Sequence, residues 1–194
     1  MGNASTNGLN DCLVIGTDKN AHFRAYAAVT GGIVEEARQR HQTSATASAA
    51  LGRTLTAGVL MSANLKGEDL LTIRVLGDGP LGAIVVTADA AGNVRGYVQC
   101  PGADPPSRNG KLDVGAAVGK NGSLSVSKNM GLKDPYTGSI PLVSGEIGEE
   151  IAHYYARSEQ IPSVVALGVL VDTDTSVKTA GGYLVQAFPG VQEE

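Results

Sequence analysis

Along the chain, apolar and polar positions alternate with two different periods, and the switches between them mark the elements. Leu9 to Gly16 and His22 to Val29 alternate as strands around the turn Thr17-Asp-Lys-Asn20. In the second of these, Phe23, Ala25, Ala27 and Val29 share one face. A short helix is predicted from Gly32 to His41, with Thr30 as its cap. Glu35 and Glu36 lie early and Arg38 and Arg40 late, as the helix dipole favours. A second helix is predicted from Ala45 to Lys66. Ala47, Leu51, Leu55 and Val59 recur every four residues, while Gly52, Ala57, Gly58 and Ala63 add small side chains. Each internal glycine costs about 1 kcal/mol against alanine. Tertiary packing must therefore hold this helix, most simply by burying it.

Period two returns at Leu70–Leu76, Leu81–Ala88 and Val94–Gln99, joined by Gly77-Asp-Gly-Pro80 and Asp89-Ala-Ala-Gly-Asn93 as a meander of hairpins. Three prolines and two glycines make Pro101 to Gly110 a loop. Strands are predicted again at Leu124–Met130 and Gly138–Val143. An amphipathic helix follows over Gly145–Arg157, with Ile147, Ile151, Tyr154 and Tyr155 inward and Pro162 beyond its end. Val164–Val171 and Val177–Ala187 form the last strand pair, after which Pro189-Gly190 breaks the pattern. The predicted class is α/β of the α+β type: twisted, mostly antiparallel sheets built from hairpins and packed with three to four helices. A single domain over residues 1–194 is expected.

Composition narrows the function classes. The 194 residues are 42% hydrophobic and 18% charged, with no tryptophan and two phenylalanines, so the chain folds around an aliphatic core. Its net charge is −4, no basic cluster is present and aromatic residues are sparse. That argues against nucleic acid as a partner, because phosphates need clustered Lys and Arg. The charge-free run between Arg53 and Lys66 is too short to span a bilayer, and the first residues lack the features of a signal peptide. A cytoplasmic protein without a membrane partner is expected. Cys12 and Cys100 lack a CxxC partner or a histidine at ligand spacing, and read as ordinary thiols; a bond between them stays open.

Three motifs look chemical and fail on context. Gly77-Asp-Gly-Pro-Leu-Gly82 fits GxGxxG, but it leads into a strand where the dinucleotide motif opens a helix. Gly115-Ala-Ala-Val-Gly-Lys120 is one residue short of a P-loop, and Asn121 stands where magnesium needs a hydroxyl. Ser125-Val-Ser-Lys128 with Lys178-Thr-Ala-Gly181 is similar to acyl-serine hydrolases of the penicillin-binding type. That chemistry places Ser and Lys one helical turn apart, whereas a strand throws Ser125 and Lys128 to opposite faces. This hydrolase remains an alternative reading. His22, His41 and His153 have no partner at metal spacing. No catalytic residue and no metal ligand is assigned.

One ordered series of segments carries a family likeness. It comprises Arg38-Gln-Arg-His41, Ala47-Ser-Ala-Ala-Leu-Gly-Arg53, Leu65-Lys-Gly67, Gly77-Asp-Gly-Pro-Leu-Gly-Ala-Ile84 and Val94-Arg-Gly-Tyr97. Lys111-Leu-Asp-Val114, Val118-Gly119, Gly122-Ser-Leu124, Ser158-Glu-Gln160 and Ala180-Gly-Gly-Tyr-Leu-Val-Gln186 with Pro189 complete it. Each motif alone is weak, but together they span residues 12 to 190 and resemble the 33-kDa heat-shock protein family of redox-regulated holdases.

The resemblance implies an ATP-independent chaperone domain that binds unfolding proteins and works as a homodimer. It also implies a C-terminal module in which four cysteines hold zinc, with a linker that covers the client surface until oxidation. Neither cysteine here belongs to that motif, so no cofactor is expected in this chain, and it is expected to be the N-terminal domain only, shortened or naturally short. A holdase needs exposed apolar surface. Val164-Val-Ala-Leu-Gly-Val-Leu-Val171 is apolar on both faces. It is either a central strand covered by helices on both sides or a strand with one face free for clients. Val165, Leu167 and Val169, with Ile84 and Val86, are the candidate client contacts. A plain structural oligomer, with this strand buried between copies, is the third reading.

Overall fold

The computed structural model describes residues 10–131 and 134–188. Its strands are β1 (Cys12–Thr17), β2 (Phe23–Val29), β3 (Leu70–Leu76), β4 (Ala83–Asp89), β5 (Val94–Val98), β6 (Ser123–Asn129), β7 (Tyr136–Pro141), β8 (Ser163–Val171) and β9 (Val177–Ala187). Its helices are α1 (Gly31–His41), α2 (Ala45–Ser62), α3 (Val114–Val118) and α4 (Ile147–Tyr154), the last running into a π-helical turn at Tyr155–Glu159. Two wholly antiparallel sheets result, in the orders β1-β2-β9-β8 and β5-β4-β3-β6-β7. This is the α+β class that the pattern predicts.

Helix α2 lies between the sheets and touches β8, β9 and β2 on one side and β3, β4 and β5 on the other. Every residue from Thr46 to Ser62 is buried except Arg53. Its glycines explain how the layers come this close. A Cβ on Gly52 would stand 2.9 Å from Val169 Cγ2, and one on Gly58 would stand 2.9 Å from Val86 Cγ1. The two positions thus admit the two sheets. Thr54 and Thr56 donate to Ala50 and Gly52 carbonyls one turn back, which removes the cost of burying their hydroxyls. Helix α2 ends at Ser62, earlier than Lys66.

Several expectations change. Thr30 precedes α1 without capping it through its side chain; its hydroxyl meets that of Thr56 at 2.8 Å in the core. Asp11 does the capping instead and accepts from the N–H groups of Gly32 and Ile33 at 2.8 and 2.7 Å. Helix α3 was not expected. It occupies the P-loop-like segment and accepts from the GxGxxG-like one, Gly79 N–H to Val118 O and Leu81 N–H to Ala117 O. The two look-alike motifs are therefore packing partners. Strand β8 is an edge strand, not a central one. Pro189 and Gly190 lie outside the described residues.

Candidate functional site

Register decides which side chains of each strand meet α2 and which face out. In the first sheet, Arg24, Tyr26 and Ala28 of β2 stand opposite Gln186, Leu184 and Gly182 of β9 on the inner face. Val165, Leu167 and Val169 of β8 join them there. The alternate positions form the outer face. They are Cys12, Val14 and Gly16 of β1; Phe23, Ala25, Ala27 and Val29 of β2; Thr179, Gly181, Tyr183, Val185 and Ala187 of β9; and Val164, Ala166, Gly168 and Leu170 of β8. None is charged. Val14 is 62%, Val164 60% and Leu170 55% exposed. A shallow depression of about 430 Å³ runs between Val29, Gly168, Leu170, Thr179 and Gly181. No described element covers this face, and apolar patches of such extent mark interaction sites on folded proteins.

The outer face of the second sheet is built from the same periodicity with other residues. Thr72, Arg74, Thr87, Arg95, Ser125, Ser127, Thr137 and Ser139 point outward there. Hydroxyl pairs link neighbouring strands, with Ser127 and Thr137 2.8 Å apart.

The candidate client contacts move accordingly. Ile84 and Val86 of β4 are 0% exposed, packed beneath α2, and no client reaches them in the folded state. Val165, Leu167 and Val169 are half-buried against the core. The exposed side chains of that strand are offset from them by one residue, at Val164 and Leu170. Both of its faces are apolar, so composition could not distinguish them. Phe23, Ala25, Ala27 and Val29, grouped on one face by their spacing, do lie together, on the outer side.

The polar clusters hold elements together. Ser125 and Lys128 lie on opposite faces of β6, so the acyl-serine arrangement does not form. Lys128 donates instead to Glu159 Oε1 at 2.8 Å, and the Tyr154 hydroxyl donates to the same oxygen at 2.7 Å. Burial, then the Glu159 carboxylate, pushes the Tyr154 phenol far above its ordinary range. Burial works against ionising Glu159, but the hydrogen bonds from Lys128 and Tyr154 outweigh it and leave its carboxyl below the usual value. Glu150 is fully buried and accepts from the backbone N–H groups of Val143, Ser144 and Gly145 at 2.8–3.0 Å. Arg53 pairs with Glu146 at 2.5 Å and ties α2 to α4. Cys12 and Cys100 are free, exposed thiols. Among the described residues, no three His, Cys, Asp or Glu side chains gather to hold a metal ion. No described helix is long and apolar enough to cross a membrane.

Comparison with known proteins places this architecture. The family model described as Hsp33 protein matches residues 11–194. The 33 kDa chaperonin of Desulforamulus reducens is 60% identical over 187 residues, which are 96% of this chain and 63% of that protein. That of Geobacillus kaustophilus is 53% identical over 186 residues, 95% of this chain and 63% of that protein. The crystal structure of the 33 kDa chaperonin (heat shock protein 33 homologue) from Thermotoga maritima superposes with a TM-score of 0.86 at 41% identity. It matches 90% of this chain and 60% of its own. The chain thus spans just under two thirds of the length of these relatives.

Proposed function

The chain belongs to the Hsp33 family, and from that premise we propose that it is an ATP-independent holdase whose client surface is the outer face of the first sheet. One observation carries the assignment of the surface: a four-stranded face without a charge, left open by every described element. Covering roughly 300 Å² of it would contribute about 7 kcal/mol before ordering costs. That suits weak, sequence-tolerant capture of apolar segments, and no nucleotide cycle is needed for it. The family likeness adds unfolding proteins as partners, a homodimer as the working form and the cytoplasm as its place. Nothing in the proposal assigns this chain a reaction, a zinc site or a redox response of its own.

The test is light scattering from an enzyme diluted out of guanidinium into buffer without nucleotide. Suppression at stoichiometric amounts is expected, equal with and without reductant. Unchanged aggregation at a fivefold excess of the folded protein would reject the holdase reading.

A further inference from the structure

A sheet edge carries unpaired N–H and C=O groups, and folded proteins guard such edges. Three of the four edges here are guarded. Across β8–β9, Ala187 donates to Pro162 O, so by alternation Val165, Leu167 and Val169 point their backbone groups to the open side. Helix α4 reaches this edge, where a Cβ on Gly148 would stand 3.9 Å from Leu167 N. In β7, Leu142 donates to Gly122 O, which turns Thr137, Ser139 and Pro141 outward, and Pro141 has no N–H to offer. Strand β5 is five residues long, carries Arg95 and touches α1.

Strand β1 has none of these devices. It is six residues long, uncharged and free of proline. Asp18 donates to Phe23 O across the ladder, so Leu13, Ile15 and Thr17 direct their N–H and C=O groups to the open side. No described group bonds them. Ile15 belongs to the inner face yet is 53% exposed, because no described element packs beneath it. A groove of about 460 Å³ lies there instead, lined by Leu13, Ile15, Ile33, Val59 and Ala63 and closed by the β4–β5 turn at Ala90 to Gly92.

We propose that β1 is a docking edge to which an extended segment of a non-native polypeptide adds as a further strand. This rests on the holdase reading and gives it a substrate class. Unpaired donors and acceptors at strand spacing are matched by another extended backbone. Alternate side chains of the added strand would enter the groove, and the others would extend the apolar outer face. The segments selected are uncharged, β-prone runs of six or seven residues, the kind that nucleates aggregation. A second copy is the competing occupant. A two-fold antiparallel pairing through the outward-bonding residues opposes Ile15 to Ile15 and sets Asp11 of each copy level with Lys19 of the other, and the dilution outcome below distinguishes that dimer from a bound segment.

The experiment uses the whole chain and the peptide acetyl-Lys-Val-Thr-Val-Thr-Val-Lys-amide, with amide hydrogen exchange followed residue by residue. At saturating peptide, the Leu13, Ile15 and Thr17 amides are expected to exchange at least about tenfold more slowly. Ile15→Lys, a charge on the edge, is expected to abolish that slowing and to weaken peptide binding at least about tenfold. Leu76→Lys on the second sheet leaves both unchanged. Peptide binding that leaves the three amides untouched would move the peptide to the sheet face and overturn the edge proposal, with the holdase reading intact. Protection of these amides in the free protein that vanishes on dilution would put a second copy on the edge and overturn it as well. A folded protein that neither binds the peptide nor suppresses aggregation fails the holdase reading itself.

Discussion

The two sheets share one helix and differ in what they show the outside. Both lay aliphatic inner faces on α2: Tyr26, Leu184 and Val165 from the first, Leu71, Ile73, Val86 and Val126 from the second. Outward, the second presents mainly Ser, Thr and Arg, with Leu76, Val85 and Tyr97 scattered among them, while the first presents a charge-free face of Val, Leu, Ala, Phe and Tyr. Folding requires only the inner faces. The apolar outer face adds nothing to the core and invites association, so its presence points to function, whereas the polar outer face of the second sheet is what an uncommitted surface looks like.

That contrast can be broken at the shared centre first. Gly58→Val pushes a branched side chain into Val86 and is expected to cost about 3 kcal/mol. Urea unfolding followed by circular dichroism should show both sheets lost in one transition, since neither has a core without α2. Loss of one sheet alone would mean that they are independent units.

The surfaces themselves come next. Val164→Asp with Leu170→Asp is expected to weaken client binding by about 2 kcal/mol, roughly thirtyfold, while leaving unfolding stability within about 0.5 kcal/mol. Ser125→Ala on the second sheet should change neither quantity. Titration calorimetry with a permanently unfolded, reduced protein reads the first, and urea unfolding reads the second. Equal binding by both variants would remove the first sheet from the client surface.

The smallest effect concerns how α1 is tied to the first sheet. Glu35 accepts from Arg38 at 2.7 and 2.8 Å and from the Val177 N–H at 2.8 Å. The hydrogen bond from Arg38 leads in holding its carboxyl down to about 2. A lowered value in the folded state stabilises the fold above the ordinary carboxyl range, and that stability is lost as pH falls from about 4.5 through about 2. Glu35→Gln is expected to cost about 1 kcal/mol at pH 7. It should also flatten the acid limb of a stability–pH curve in that window, and an unchanged limb would contradict the coupling.

Strand positions were legible because period two is local. Leu70–Leu76 and Val177–Ala187 match to the residue, and the other strands shift by three residues or fewer at either end. Local patterns also placed Ile147, Ile151, Tyr154 and Tyr155 inward on the fourth helix. Misreadings arose where a partner distant in sequence decides. Asp11 caps α1 from across a hairpin, and no spacing rule connects it to Gly32. Helix α3 is five residues long, too short for a periodicity to show.

By itself the sequence determined the α+β class, an aliphatic core, the failure of the catalytic look-alikes on context and the likeness to a holdase family. It also marked β8 as a strand apolar on both faces. Only the tertiary structure decided which of those faces is free, because Val164 and Val165 are the same residue type and differ solely in which one meets α2. The open edge of β1 was likewise out of reach of the pattern, since an unpaired backbone is a property of a strand's neighbours and not of its own side chains.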